Sequence, residues 1–413
     1  MLIPDGHKRI MKYALIIMDG AADEPLAELE GKTVLEEANI PNTDWISVHG
    51  RQGMVRTVPQ GFSPGSDVAT MSVLGYDPCV YHTGRAPLEF AAKDIPMRPN
   101  DWIFRCNLVT VADGLMLDYS AGHIDSVQGA KLIGDLNEQL GSEKITFYPG
   151  VGYRHLMVYR GDAFEGEIIP PHDIMDQPIA KHLPRGRGAK ELCKLMEKAA
   201  EILAGHEVNK VRCDLGENQA TNIWFWGQGK RPKMESFRHR FGIYGCMISA
   251  VDLLRGMAKL VGLKVIDVEG ATGFIDTNYA GKGEAAIKAL DQRDIVFVHV
   301  EAPDEAGHGA QIEAKIESIE QIDCHIVGPL LKWLQGHGDD WRIMVLPDHP
   351  TPISTRMHSS EAVPFAMAGD GIIGSWQQPY SEANGRNSGF RIDKGHELME
   401  YFLKVNVRAF ATK

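Results

Sequence analysis

Three apolar runs, Tyr13 to Met18 (YALIIM), Ile295 to Val300 (IVFVHV) and Ile343 to Leu346 (IMVL), lack the alternation of a half-exposed strand. Runs of this kind fit strands buried on both faces, as in a parallel sheet covered by helices. The segment from Ala310 to Leu334, between the last two, has helical spacing and can form the crossover. Residues 244–262 and 281–290 also have the spacing of helices packed on such a sheet. An α/β domain with a mainly parallel sheet is therefore expected.

The chain has 413 residues, too many for one ordinary core. From about Phe90 to Phe241 its texture changes. Strand-like pieces (WIFRCNLVTV, LMLDYS, KITFYPG, RHLMVYR) are joined by two helical stretches near 126–140 and 189–205. This predicts an α+β unit over 90–241 inserted into a core domain made of 1–89 and 242–413.

Charge and cysteine usage narrow the partners and the compartment. With 43 basic against 55 acidic residues the net charge is −12, which argues against nucleic acid as a partner but leaves room for a small anionic substrate. No apolar run is long enough to span a bilayer, so no membrane partner is expected. The six cysteines are scattered without a CxxC pair, which reads as reduced thiols and a cytoplasmic protein. Residues 1–10 are mixed and polar, read as an extension rather than a signal peptide. Oligomeric state is left open.

Each apolar run leads to an aspartate. YALIIM continues into Asp19-Gly20; IVFVHV passes through Glu301-Ala302-Pro303 to Asp304, with His308 four residues on; IMVLP leads to Asp348-His349. Ligands of open parallel sheets bind beyond the carboxyl ends of the strands, so these residues would converge on one edge. A single aspartate there is an ordinary turn former or helix cap. Three of them, two accompanied by histidine, point to a metal site. Asp304 and His308 share a helical face, and His358 can return to the same edge before Val363-Pro364-Phe365. Three carboxylates and three imidazoles exceed the four ligands of one tetrahedral ion. Two divalent cations fit, and would leave one net positive charge, suited to clamping a phosphoryl group. Mixed nitrogen and oxygen ligation favours Mn²⁺ or Zn²⁺ over Ca²⁺, with Mn²⁺ first and Mg²⁺ or Co²⁺ as alternatives.

Ser66 is the candidate nucleophile. It follows a Gly/Pro-rich loop (GFSPGSD, 61–67) and precedes a helical stretch, Val68 to Leu74, so backbone N–H groups there would favour an anion. The plain alternative is that Ser66 only caps this helix. Beside two cations its hydroxyl could instead attack phosphorus.

The set Asp19-Gly20, Gly65-Ser66-Asp67, HVEAPDEAGHGA (299–310), Asp348-His349-Pro350 and His358 with Val363-Pro364-Phe365 resembles the archaeal-type, cofactor-independent phosphoglycerate mutases of the alkaline phosphatase superfamily. SVLGYDP (72–78), GRAPLEF (84–90), CNLVT (106–110), DYSAGHI (118–124), GYRHLMV (152–158) and VEGATGFIDTNYAGK (268–282) extend the likeness over nearly the whole chain from Met11. The resemblance implies an alkaline-phosphatase-like core with an inserted cap domain, and a glycolytic and gluconeogenic isomerase. Ser66 would take the phosphoryl group from 3-phosphoglycerate and return it to the 2-hydroxyl of the retained glycerate, without 2,3-bisphosphoglycerate. Asp19, Ser66, Asp348 and His349 would hold one metal, and Asp304, His308 and His358 the other. His123, Arg154 and Lys282 are the implied substrate-binding residues. A closed cap would keep water from the phosphoserine.

A second reading stays open. Bacterial members with segments like SAGHI, PPHDI (170–174) and TNIWFWGQG (221–229) have been proposed to be homoserine kinases, and this chain carries all three. The GxxxxGK[ST] phosphate loop is absent, so a phosphotransferase acting on a small alcohol would have to use the metal pair. Trp224, Phe225 and Trp226 read as a packed cluster, His172-Asp173 as a turn, and Arg185-Gly-Arg-Gly as a mobile loop or an anion nest.

Overall fold

The computed structural model describes residues 11–161, 164–337, 340–374 and 376–404. The extension read at residues 1–10 lies outside them. The chain forms two compact units, one from the segments up to His82 and from Lys233 onward, the other from Thr83–Pro232.

The first unit is built on an eight-stranded sheet. Its order is Lys264–Ile266, Gly245–Ile248, Ile295–Val300, Lys12–Met18, Trp341–Leu346, Val363–Gly369, Arg51–Val55 and Arg391–Ile392. The first five strands are mutually parallel; Val363–Gly369 runs against both its neighbours. Lys12–Met18 lies in the middle, with Ile16 level with Val298 on one side and Val345 on the other. All three side chains are fully buried. Each such burial contributes about 1.5–3 kcal/mol, which is why these runs carry no polar alternation. The crossover after Ile295–Val300 is helical: Ile312–Ile322, a wider turn over Asp323–Val327, then Gly328–Gly336.

One expectation is corrected. Residues 244–262 are not one helix but a strand, Gly245–Ile248, followed by a helix, Asp252–Leu260. The four-residue run GCMI is apolar throughout, and periodicity cannot separate a buried strand from a buried helix turn at that length. Pairing with Ile295–Val300 decides in favour of the strand.

The second unit is an antiparallel sheet in which Trp102–Ala112 pairs with Leu115–Asp118, Arg154–Tyr159 and Asn222–Lys230, and Ile145–Tyr148 pairs with Arg154–Tyr159. Helices Ser126–Leu140 and Ala189–Ala204 bury Leu132, Leu136, Leu192 and Met196 in its core. Asp125 starts the first of them by accepting hydrogen bonds from the N–H groups of Val127 and Gln128. This unit spans 83–232, against the 90–241 read from the sequence. Helix Arg85–Ala91 packs Ala86 and Phe90 on Ile103 and Val158 of this sheet. At the other end, Phe237 meets Phe297 of the large sheet edge to face.

Candidate active site

Strand register places the acidic residues. Met18 is level with Val300, and Ile17 is level with Leu346, so all three central strands end together. Asp19 is the first residue past its strand, and its N–H donates to Val300 O at 3.0 Å. Asp304 lies in the short helix Ala302–His308, one turn before His308. Asp348 and His349 follow Trp341–Leu346, and His358 belongs to the loop before Val363–Gly369. Gly20 lets these segments meet. At its φ of +63° an added Cβ would stand 2.5 Å from Asp304 Oδ1 and 2.6 Å from Thr351 Oγ1, so no larger residue fits.

All seven residues expected at the metal site are brought together. His308 Nε2 lies 3.3 Å from Asp304 Oδ2, His358 Nε2 lies 3.4 Å from Asp304 Oδ1, and the two imidazole nitrogens face each other at 2.9 Å. His308 Nδ1 is 2.9 Å from Arg356 O, so Nδ1–H donates to that carbonyl and the ring is held with Nε2 facing His358 and Asp304. His349 Nε2 is 3.4 Å from Asp19 Oδ1 and 3.7 Å from Asp348 Oδ2. Two groups result, Asp304 with His308 and His358, and Asp19 with Asp304 and His349. Asp304 belongs to both. Asp348 accepts from the N–H groups of Gly20 at 3.3 Å and His349 at 2.9 Å, and from Thr70 Oγ1 at 3.3 Å.

The electrostatics fit cations. Asp19 is wholly buried, and its Oδ1 has no hydrogen-bond partner. Burial, then the neighbouring Asp348 and Asp304, push its carboxyl well above the usual range. Asp304 is shifted the other way: burial raises it, but hydrogen bonds from His308 and His358 outweigh that and hold it well below. The hydrogen bond to Asp304 lifts His308 to about 9. Crowded carboxylates, converging imidazoles and an orphan buried oxygen are what bound divalent ions neutralise.

Ser66 opens the helix Ser66–Val73, and Gly65 rather than Ser66 occupies the cap position. Its hydroxyl is therefore not used as a cap. It lies 3.2 Å from His349 Nε2 and 3.4 Å from Asp19 Oδ2. Thr70, one turn further on, ties the same helix to Asp348.

Three buried residues near this site were not singled out in the sequence. His299 lies within a strand, its Nε2 2.8 Å from Asp19 Oδ2 and its Nδ1 3.3 Å from Ser249 Oγ. Burial lowers it to about 3, so the ring is neutral. Thr351 donates from Oγ1 to Asp304 Oδ1. Lys315 donates to Asp23 Oδ2 at 2.7 Å and Thr351 O at 2.8 Å. A histidine inside IVFVHV was the one available signal, since polar residues are rare in a doubly buried strand.

Lys282, expected at the substrate phosphate, is buried on helix Tyr279–Leu290 and donates to His299 O at 3.2 Å. Burial lowers its ammonium to about 8. His123 and Arg154 belong to the other unit and share one neighbour there, Tyr153. The Arg154 guanidinium lies 5.4 Å from that ring's centre, and the His123 ring lies 6.3 Å away. Ala121, Gly122 and His123 all have positive φ. Asp118 accepts from Ser120 and Gly122 N–H groups, and Arg212 donates to Ala121 O at 2.9 Å, which fixes this turn.

The segments read as packing or turn contribute to the same region. Trp224 is buried as expected, Trp226 is half-buried and packed against the same core, and the Arg105 guanidinium carbon lies 4.1 Å from the centre of the Trp226 ring. His172 meets Trp226 and Tyr119, and Tyr119 meets Tyr153. Arg105 and Arg85 share the carboxylate of Glu89.

Comparison with known proteins gives a consistent answer. Residues 48–209 match the family described as 2,3-bisphosphoglycerate-independent phosphoglycerate mutase. A protein of that name from Methanothrix thermoacetophila is 48% identical over 393 residues, covering 95% of this chain and 100% of its own. Among solved structures, a protein from Pyrococcus horikoshii superposes with a TM-score of 0.80 at 27% identity, over 95% of this chain and 96% of that one. A cofactor-independent phosphoglycerate mutase from Thermoplasma acidophilum superposes with a TM-score of 0.65 at 28% identity, over 95% and 99%. Among the described residues no helix is long and apolar enough to cross a membrane, and all six cysteines are free.

Proposed function

This chain belongs to the family of 2,3-bisphosphoglycerate-independent phosphoglycerate mutases, and from that premise we propose that it interconverts 3-phosphoglycerate and 2-phosphoglycerate through a phosphoserine at Ser66. The observation that carries this reading is the Ser66 hydroxyl, 3.2 Å from His349 Nε2 and 3.4 Å from Asp19 Oδ2 at the start of a helix. Asp19, Ser66, Asp348 and His349 would hold one divalent cation, and Asp304, His308 and His358 a second. Bound there, two such ions, Mn²⁺ first among the candidates, supply Lewis acidity to the phosphoryl oxygens and make the serine hydroxyl more acidic.

Ser66 Oγ attacks phosphorus, the bond to the 3-oxygen breaks, and glycerate leaves with the proton given up by Ser66. The 2-hydroxyl of the same glycerate then attacks the phosphoserine, the bond from phosphorus to Ser66 Oγ breaks, and the proton of the 2-hydroxyl passes to Ser66 and restores it. The positive end of the dipole of the Ser66 helix would stabilise the transferring oxygens. Glycerate must stay bound and water must stay out between the two steps, or the outcome is hydrolysis. Lys282 is proposed for the phosphate. Arg154 and His123, with Arg85 and Arg105 nearby in their unit, are proposed for the carboxylate, which planar guanidinium groups match in geometry.

The meeting of His123, His172 and Trp226 around Tyr119 and Tyr153 keeps a second reading in view. They come from the three segments shared with the proposed homoserine kinases, so the acceptor could be another small alcohol. One experiment separates the two. The Mn²⁺-loaded protein is given 3-phosphoglycerate with neither ATP nor 2,3-bisphosphoglycerate, and ³¹P NMR follows the 2-isomer. Its formation supports the mutase; no isomer, but phosphohomoserine from homoserine and ATP, replaces the mutase with the kinase.

A further inference from the structure

Thr351 is fully buried, and its hydroxyl touches both groups of the candidate metal site. Oγ1 donates to Asp304 Oδ1 and lies 3.4 Å from His349 Nδ1. A hydroxyl has one proton to give, and an ionised carboxylate can only accept. The proton therefore goes to Asp304, and the oxygen lone pair is left to accept from His349 Nδ1–H. That direction fixes the tautomer of His349. Its Nε2 is then unprotonated, and Nε2 is the nitrogen that faces Ser66 Oγ at 3.2 Å and Asp19 Oδ1 at 3.4 Å.

Thr351 is itself held from three sides. Its carbonyl accepts from Lys315 Nζ at 2.8 Å, and its N–H donates to Ala22 O at 3.3 Å. Lys315 is fully buried and paired with Asp23 at 2.7 Å, so this anchor is a charge pair inside the fold. An added Cβ on Gly20 would lie 2.6 Å from Thr351 Oγ1, and one on Gly307 would lie 2.6 Å from Thr351 O. Both glycines thus let the main chain approach Thr351 closely.

We propose that Thr351 is a positioning residue that couples the two cation sites, presenting His349 to one ion and Asp304 to the other through a single hydroxyl, with Lys315 and Asp23 as its anchor. The inference rests on the two-cation reading above. Its consequence is that the ions bind interdependently, and that removing this hydroxyl weakens binding without removing any ligand.

The test uses the full chain stripped of metal and titrated with Mn²⁺, with free Mn²⁺ read by electron paramagnetic resonance. Wild type should take up two equivalents. Thr351→Val keeps the shape and loses the hydroxyl; it should bind the second equivalent at least 10-fold more weakly, within the about 10–100-fold range for lost supporting contacts. Thr351→Ser should restore wild-type binding, which a role in packing alone would not produce. A measurement on wild type needs no variant to fold: ¹⁵N NMR of histidine-labelled, metal-free protein should show His349 protonated at Nδ1. Unchanged binding by Thr351→Val, or a proton on His349 Nε2, overturns the coupling and leaves the two-cation reading intact. A wild type that binds no Mn²⁺ overturns both.

Discussion

His299 Nε2 stands 2.8 Å from Asp19 Oδ2, and both side chains are sealed from solvent. Because burial keeps the ring neutral, the contact is an N–H donated to a carboxylate, and it occupies one oxygen while leaving Oδ1 to face His349. His299→Leu removes that donor and strands a buried carboxylate oxygen. The expected outcome is a loss of about 1–3 kcal/mol in stability and a fall in Mn²⁺ affinity of about 10–100-fold. Calorimetric unfolding and Mn²⁺ titration measure the two effects, and His299→Gln, which keeps a donor, should recover part of each.

Ser66→Ala deletes the oxygen proposed to carry the phosphoryl group but leaves every carboxylate and imidazole in place. Turnover should vanish while Mn²⁺ uptake changes little. Acid-quenched wild type incubated with 3-phosphoglycerate should show phosphate on the peptide containing Ser66 by mass spectrometry, and the variant should show none. Isomerisation that survives the substitution would remove Ser66 from the mechanism.

Chelation should abolish activity, and Mn²⁺ should restore it. It should also lower thermal stability, because an ion that binds only the folded chain stabilises it, by about 2.7 kcal/mol at a concentration 100 times its Kd. Differential scanning calorimetry with and without chelator checks this; equal melting temperatures would contradict it.

In the inserted unit, His155 is buried, its Nδ1 accepts from Gly150 N–H at 3.0 Å, and burial lowers it to about 3. Unfolded, the ring titrates near ~6.5. Between those values the unfolded chain binds the additional proton, so stability is fully present above about 6.5 and is lost as the pH falls toward 3. From pH 6.5 to 5 the unit should lose about 2 kcal/mol. Hydrogen exchange of the Arg154–Tyr159 strand should report the loss. His155→Gln, which keeps an acceptor and does not titrate, should flatten the dependence.

The central strands were legible because burial on both faces leaves an unbroken apolar run, and the aspartates after them because each run stops at a charge. The strand Gly245–Ile248 was not, since four apolar residues fit a helix equally well and only pairing with Ile295–Val300 distinguishes them. Ser66 was placed at the right helix end, but its freedom from capping depends on Gly65, which the sequence leaves undecided. Thr351 and Lys315 were invisible for a different reason. Their significance lies in partners far along the chain, Asp304 and Asp23, and a threonine in DHPTP or a lysine in a mixed helix looks ordinary alone. Trp226 packs against the core with Trp224 and Phe225 as read; what the sequence could not show is the guanidinium near its ring, which comes from Arg105 on another strand.

The position of Lys12–Met18 between Ile295–Val300 and Trp341–Leu346 sets the order of events at the ribosome. Lys12–Met18 is synthesised long before either of its neighbours, while Thr83–Pro232 can pair its strands as soon as it clears the exit tunnel. A nascent chain halted before Ile295 can therefore mature its middle while Lys12–Met18, the first of these segments to be made, still lacks both partners. Stalled-ribosome proteolysis should find the inserted unit protected and that first segment still open to cleavage.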